Sequence, residues 1–218
     1  MDTAVVTGLR VTRDGKELYY TDYKAGTLFG VDTASGQKNF ELALPSFAAF
    51  KVALSADGNT AYVTGAVRGK SVYGVRVVDL AGKKIATSID TELSYGGSDI
   101  AETTSAVSKD GKTLVISEAN DGGNKASVVD LAGGKVTATV ELGSTPIGVA
   151  IAPDGKTAYV GGFEDEVVFV IDLGSNAVKG KIELKTTCGV YDLKISPDGK
   201  TLYAACQKGA GGVIKIAL

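Results

Sequence analysis

Histidine and tryptophan are absent from the 218 residues, and there are only two cysteines and one methionine. Without an imidazole, Ser-His-Asp and Cys-His nucleophilic chemistry are excluded, as is any His-ligated metal. Cys188, Cys206 and Met1 are too few soft ligands for a copper or quinone-linked centre. An excess of one charge is also lacking. The 23 basic side chains nearly balance 25 acidic ones, for a net charge of -2. That gives no electrostatic case for nucleic acid or an anionic membrane surface. No apolar run approaches the about 20 residues of a membrane span. The opening Met1-Asp2-Thr3 has no basic region followed by a hydrophobic one, so no signal peptide is expected. A removed leader would leave the same sequence, and the compartment stays open.

What the chain has is 29 glycines and a repeat. Its clearest copy is Ile195-Ser-Pro-Asp-Gly-Lys-Thr-Leu-Tyr203, read as strand, tight turn, strand. Pro197 presets a turn dihedral and Gly199 accepts the positive φ that closes a hairpin. The Asp-Gly pair recurs at Asp14-Gly15, Asp57-Gly58, Asp110-Gly111, Asp154-Gly155 and Asp198-Gly199, with spacings of 43, 53, 44 and 44 residues. Each turn leads into a strand such as Ala61-Tyr-Val-Thr-Gly65. A third strand then ends in an acid: Asp32, Asp79, Asp130 or Asp172. After a Gly-bearing turn, a fourth strand alternates polar and apolar residues, as in Lys135 to Val140. Four short strands per period, with no helical periodicity, predict an all-β propeller of five repeats with four-stranded blades. The repeats run approximately over 4–46, 47–99, 100–144, 145–188 and 189–218, forming one domain over 1–218.

The motif Ser-Pro-Asp-Gly-Lys-Thr-Leu-Tyr, followed by strands such as Tyr62-Val-Thr-Gly65 and by Val-x-Val-Ile-Asp-Leu, resembles the YVTN family of β-propeller repeats. The resemblance covers essentially the whole chain and rests on turn and core positions. It implies a bacterial or archaeal protein of the periplasm or cell surface. Relatives in this group usually have seven blades, against five repeats here. Related propellers include lactonases, lyases and dehydrogenase subunits, which typically use His or a metal cluster.

The fifth repeat is incomplete: Val213 to Leu218 supplies its third strand, and no fourth succeeds it. Ala4 to Thr12 aligns instead with the innermost strand of a repeat, Leu9 and Val11 matching Leu193 and Ile195. Two architectures are open. One is a closed five-bladed ring with a three-stranded last blade. The other is an engineered or fragmentary propeller that completes itself by assembly. The unpaired edge at Val213–Leu218 invites self-association in either case.

In a four-stranded blade, the first-to-second and third-to-fourth turns share one end, and here they are short and uniform. The second-to-third and inter-blade connections share the other end and vary, which is where binding is expected. The extra length between Asp57 and Asp110 falls there, in Gly65 to Ser71 and in Glu92 to Glu102. Arg68 and Lys70 are candidates to clamp an anion, Tyr95 to offer a mobile aromatic contact, and Tyr191 to line the same site. Acids expected at that end are Asp22, Asp99, Glu102, Glu118, Asp121 and the contiguous Glu164, Asp165 and Glu166. Oxygen ligands of this kind can hold a divalent cation at a channel mouth. Their spacing matches no calcium loop, and no cofactor is expected. Glu102 and Glu118 form a weak candidate acid/base pair. The recurrent Asp32, Asp79, Asp130 and Asp172 read as turn-formers, because a position filled alike in four repeats suits local backbone bonding better than catalysis.

Cys188 and Cys206 map to the same blade, so either a disulfide or two reduced thiols fits. Where other inner strands carry Ala53, Ala106 and Ala150, repeats one and five carry Arg10 and Lys194, with Asp192 the expected partner. The expected function is non-enzymatic: a binding or scaffold propeller whose variable end takes a protein or small-molecule ligand. The competing expectation is a propeller enzyme or enzyme subunit.

Overall fold

The computed structural model describes residues 5–95, 105–118, 123–143, 145–209 and 211–218. The 1–218 span divides into two compact units, Met1–Tyr95 and Gly96–Leu218. Among the described residues there is no helix. The first unit holds β1 (Val6–Val11), β2 (Glu17–Asp22), β3 (Thr27–Asp32) and β4 (Lys38–Ala43) in one antiparallel sheet. A second sheet holds β5 (Phe47–Leu54), β6 (Thr60–Val67), β7 (Val72–Asp79) and β8 (Lys84–Ser94). The second unit has three sheets. They are β9 (Ser105–Val107) to β12 through β10 (Thr113–Ser117), β11 (Lys125–Asp130) and β12 (Lys135–Glu141); then β13 (Pro146–Ile151), β14 (Thr157–Gly162), β15 (Val167–Asp172) and β16 (Ala177–Glu183); then β17 (Val190–Ile195), β18 (Thr201–Cys206) and β19 (Gly212–Ala217). Each sheet keeps its strands in chain order, and among the described residues the last has three strands.

The hairpins form where they do because each first turn is closed by its own side chains. The hydroxyls of Thr12, Ser55, Ser108 and Ser196 donate to the carboxylates of Asp14, Asp57, Asp110 and Asp198 at 2.7, 2.5, 2.6 and 2.5 Å. The same carboxylates accept the amides of Lys16, Asn59, Lys112 and Lys200. The next glycine sits at φ 71–74° in all five turns, a conformation that a Cβ penalises. In the fourth sheet Ala152 stands where the hydroxyl would be, and Asp154 keeps the bond from the Lys156 amide, 2.9 Å. The third-to-fourth turns use the strand-end acids. Asp32 accepts from the Ser35 amide, Asp79 from Gly82, Asp130 from Ala132 and Gly133, and Asp172 from Gly174 and Ser175.

With turns pinned, strand alternation sends one set of side chains into the space between neighbouring sheets. In the first unit Leu28, Val52, Val63 and Val78 meet there with Phe47. In the second unit Val115, Val149, Val160 and Phe169 form one such layer, and Val168, Leu193, Leu202 and Ala204 the next. Leu9 and Val11 differ. Each is 48% exposed, because among the described residues of their unit no sheet packs on that face, whereas Leu193 at the same repeat position as Leu9 is 1% exposed.

Among the described residues, part of the extra length of the second repeat is strand, not loop. Gly65, Ala66 and Val67 continue β6 and pair with Ala49, Ala48 and Phe47. Glu92 to Ser94 continue β8, with Thr91 and Leu93 buried. Their alternation fits a longer blade, so only residues 68–71 form the β6–β7 turn.

The turn carboxylates titrate low. Asp14, Asp57, Asp110 and Asp198 lie below the ordinary 3.8, chiefly through the hydroxyl bond, then through the backbone amide. A carboxyl depressed in the folded state contributes stability above pH 3.8 that is lost as pH falls through the folded values. Ser55→Ala with Ser196→Ala should therefore lower the melting temperature at neutral pH. The difference from the parent chain should close between about pH 4 and pH 2, as followed by circular dichroism.

Candidate functional site

The irregular end of the first unit begins at the β2–β3 turn, Tyr23 to Gly26. The Asp22 carboxylate accepts the amides of Lys24 and Ala25 at 2.9 and 3.1 Å, so this acid is spent on the turn. Gly26, at φ 60°, lies so close to β5 that a Cβ would stand 2.2 Å from the Phe47 carbonyl oxygen. Arg68 does not project as half of an anion clamp. Its guanidinium donates to the carbonyls of Tyr23 and Lys24 at 2.9 and 2.8 Å, stapling the β2–β3 turn to the β6–β7 turn.

Lys70 is also engaged. Its Nζ lies 2.7 Å from Asp90, which takes Arg76 on its other oxygen at 3.1 Å. Arg76 is buried and stacks 4.3 Å over the Phe47 ring. Burial alone would raise the Asp90 carboxyl, but the hydrogen bonds and charges of Lys70 and Arg76 hold it below the ordinary range.

Beside this triad four rings gather. Phe50 stacks on Tyr23 at 5.4 Å and meets Tyr73 at 6.3 Å and Tyr95 at 5.7 Å. Tyr73 and Tyr95 meet edge to face at 5.6 Å, and the Tyr23 and Tyr95 hydroxyls are 3.4 Å apart. Tyr95 is thus held in a cluster, its amide bonded to the Ser71 carbonyl at 2.8 Å.

In the second unit Glu118 is buried and accepts the Asn124 amide at 3.2 Å. Tyr191 is half-buried on β17. Glu164 pairs with Lys208, whose Nζ sits 4.7 Å over the Phe163 ring. Glu164, Asp165 and Glu166 do not converge: among the described residues no three His, Cys, Asp or Glu side chains gather closely enough to hold a metal. Asp99, Glu102 and Asp121 lie outside the described residues, and with Glu102 goes the separation of the candidate acid/base pair. Lys194 binds both oxygens of Asp192, at 2.8 and 2.6 Å. Cys188 and Cys206 are joined by a disulfide with Cα atoms 4.9 Å apart, the bonded one of the two states that the sequence allows.

No family model matches the chain. Over 114 residues it is 35% identical to a seven-bladed β-propeller protein, Rv1057, of Mycobacterium tuberculosis; the match covers 51% of this chain but only 28% of that protein's length. Among solved structures, the hydrazine synthase of Kuenenia stuttgartiensis aligns with a TM-score of 0.76 at 20% identity, over 100% of this chain and 67% of that one. The fold is a β-propeller. Its described part has five sheets, four of them four-stranded blades.

Blade alignment explains where the missed residues came from. The innermost strands of blades one, two and five each shift register once, at Thr7, Phe50 and Tyr191. A bulge re-aims the side chain it carries. Phe50 and Tyr191 therefore occupy one repeat position, and in blade two that position anchors the aromatic cluster. Tyr23 and Tyr73 also escaped sequence reading. The available signal was position: Tyr23 directly follows the second strand, and Tyr73 is the second residue of the third.

Asp90→Ala would leave Arg76 buried without its counter-charge. Since Asp90 is 29% exposed, the expected loss is about 2 kcal/mol in urea unfolding, below that of a fully buried pair. Arg76→Met in that background should recover most of it. Lys70→Ala, whose side chain is 65% exposed, should change stability by about 0.5 kcal/mol or less. Replacing both cysteines with serine reopens a loop of sequence separation 18, with an expected loss of about 3 kcal/mol by the chain-entropy argument.

Proposed function

We propose that this protein is a non-enzymatic binding or scaffold propeller of YVTN type. Its partner is a protein or small molecule engaged at the variable end of the blades. One observation carries the reading: at the variable end of the first unit an exposed arginine is held by backbone carbonyls. At the uniform end, the turn carboxylates are consumed by their own hydroxyls and amides. At the other end of the first unit, Arg68 presents an exposed guanidinium that, among the described residues, is tied to carbonyls, beside tyrosine rings whose hydroxyls face one another. Arginine and tyrosine dominate the energetics of protein contacts, because they offer large area with directional polar groups. A cation held by carbonyls rather than by a carboxylate suits an acidic or carbonyl-rich segment.

A second reading is that the chain belongs to an enzyme assembly. It is favoured by the fold likeness to hydrazine synthase, an enzyme. Metal analysis of the purified protein separates the two, since a stoichiometric ion favours the second.

Photo-crosslinking tests the first reading. A crosslinking residue replacing exposed Lys24, at the variable end, should capture a discrete partner from the native host. The same residue replacing exposed Lys16, at the uniform end, should not. Tyr95→Ala in the Lys24 variant should abolish the adduct. Equal labelling from both ends would overturn the assignment.

A further inference from the structure

We propose that Asp154-Gly155, in the β13–β14 turn, is a covalent modification site: of the five first turns, this one converts fastest from an aspartyl to an isoaspartyl linkage. The chemistry needs no partner but water. The Gly155 amide nitrogen attacks Cγ of the protonated Asp154 carboxyl. An N–C bond forms, and the carboxyl hydroxyl leaves with the amide proton as water. The five-membered imide then takes up water at either carbonyl. Opening at the Asp154 main-chain carbonyl moves the peptide bond to Cγ and leaves a free α-carboxylate. Glycine as the next residue favours ring closure, because no side chain shields its nitrogen.

All five turns meet that sequence requirement, so what separates them is how the carboxyl is held. The fourth and fifth blades form a matched pair, since residues 153–157 and 197–201 both read Pro-Asp-Gly-Lys-Thr. Their backbones match as well. Gly155 and Gly199 sit at φ 71° and 74°, and their amides donate to the carbonyls of Ala152 and Ser196, each at 2.9 Å. Asp154 and Asp198 are both exposed, and each accepts the amide two residues on, from Lys156 at 2.9 Å and from Lys200 at 3.1 Å.

The difference is one oxygen. The Ser196 hydroxyl donates to Asp198 at 2.5 Å and accepts the Thr201 amide at 2.9 Å, so it ties the carboxylate to the first residue of β18. Thr12, Ser55 and Ser108 make the same double link in their own turns. The methyl group of Ala152 can make neither bond. Among the described residues the Asp154 carboxylate takes the Lys156 amide alone. Two consequences favour reaction there. A carboxyl must turn away from its hydroxyl partner to reach the glycine nitrogen, and Asp154 has no such partner to leave. The hydroxyl bond also makes Asp198 titrate low, which keeps that carboxyl in its unreactive ionised form. The product at Asp154 lengthens the turn backbone by one carbon and sets a new carboxylate at the uniform end of the fourth blade.

The test ages the 218-residue chain for weeks at mildly acidic pH and physiological temperature, then maps its tryptic peptides. Isoaspartate is read as a peptide of unchanged mass that elutes apart and accepts a methyl group from S-adenosylmethionine through an isoaspartyl methyltransferase. Peptide 136–156 should gain it roughly fivefold faster than peptide 195–200, the rate factor of one net hydrogen bond. Ala152→Ser should slow Asp154 to the Asp198 rate, and Ser196→Ala should raise Asp198 to the Asp154 rate. The first substitution adds a bond, so general loosening of the fold cannot imitate its effect. Asp121-Gly122 falls in peptide 113–125 and does not enter the comparison. Equal rates at the two sites of the parent chain, no isoaspartate at Asp154, or either substitution leaving the rate at its own turn unchanged would each overturn the proposal.

Discussion

The structure depends first on one short-range bond, the carboxylate that closes each hairpin. Side chains alternate across a strand, so a slip of one residue would exchange every buried group for an exposed one. The hydroxyl of Ser55 held by Asp57, with the Asn59 amide on the same oxygen, leaves the chain one place to reverse. Asp32, Asp130 and Asp172 do the same for the next reversal. Leu28, Val63 and Phe169 then reach the inter-sheet layers without further specification.

That economy frees the opposite end of each blade. In the first unit its connections carry, besides the Asp22 carboxylate that closes the β2–β3 turn, the side chains of Arg68, Lys70 and Tyr95. In the first unit these groups lock to one another before they meet a ligand. Arg68 binds two carbonyls of the neighbouring turn, and Asp90 balances Lys70 and Arg76. Four rings share one contact network around Phe50. Such a surface is preorganised: its side chains are already fixed, so binding orders little more.

Among the described residues the fifth sheet has three strands. Ala217 pairs with Thr201 at the position where Asp172 pairs with Thr157 in the fourth sheet. The disulfide from Cys188 to Cys206 ties the start of that blade to its second strand. The blade is therefore tied covalently at its first two strands.

Much of this was legible from residues alone. The Asp-Gly spacing revealed the repeats, the strand-end acids announced their turn role, and the absence of histidine removed whole classes of chemistry. These features are local, decided within five residues by hydrogen bonding and dihedral preference, so a linear reading captures them. The longer reach of β6 and β8, the engagement of Arg68 and Lys70, the bonded state of the cysteines and the recruitment of Phe50 were decided only by tertiary structure. Each depends on which strands become neighbours, and Phe50 also on a bulge that turns its ring toward Tyr23. A side chain's partner across two sheets is set by packing distance, which one-dimensional spacing does not contain.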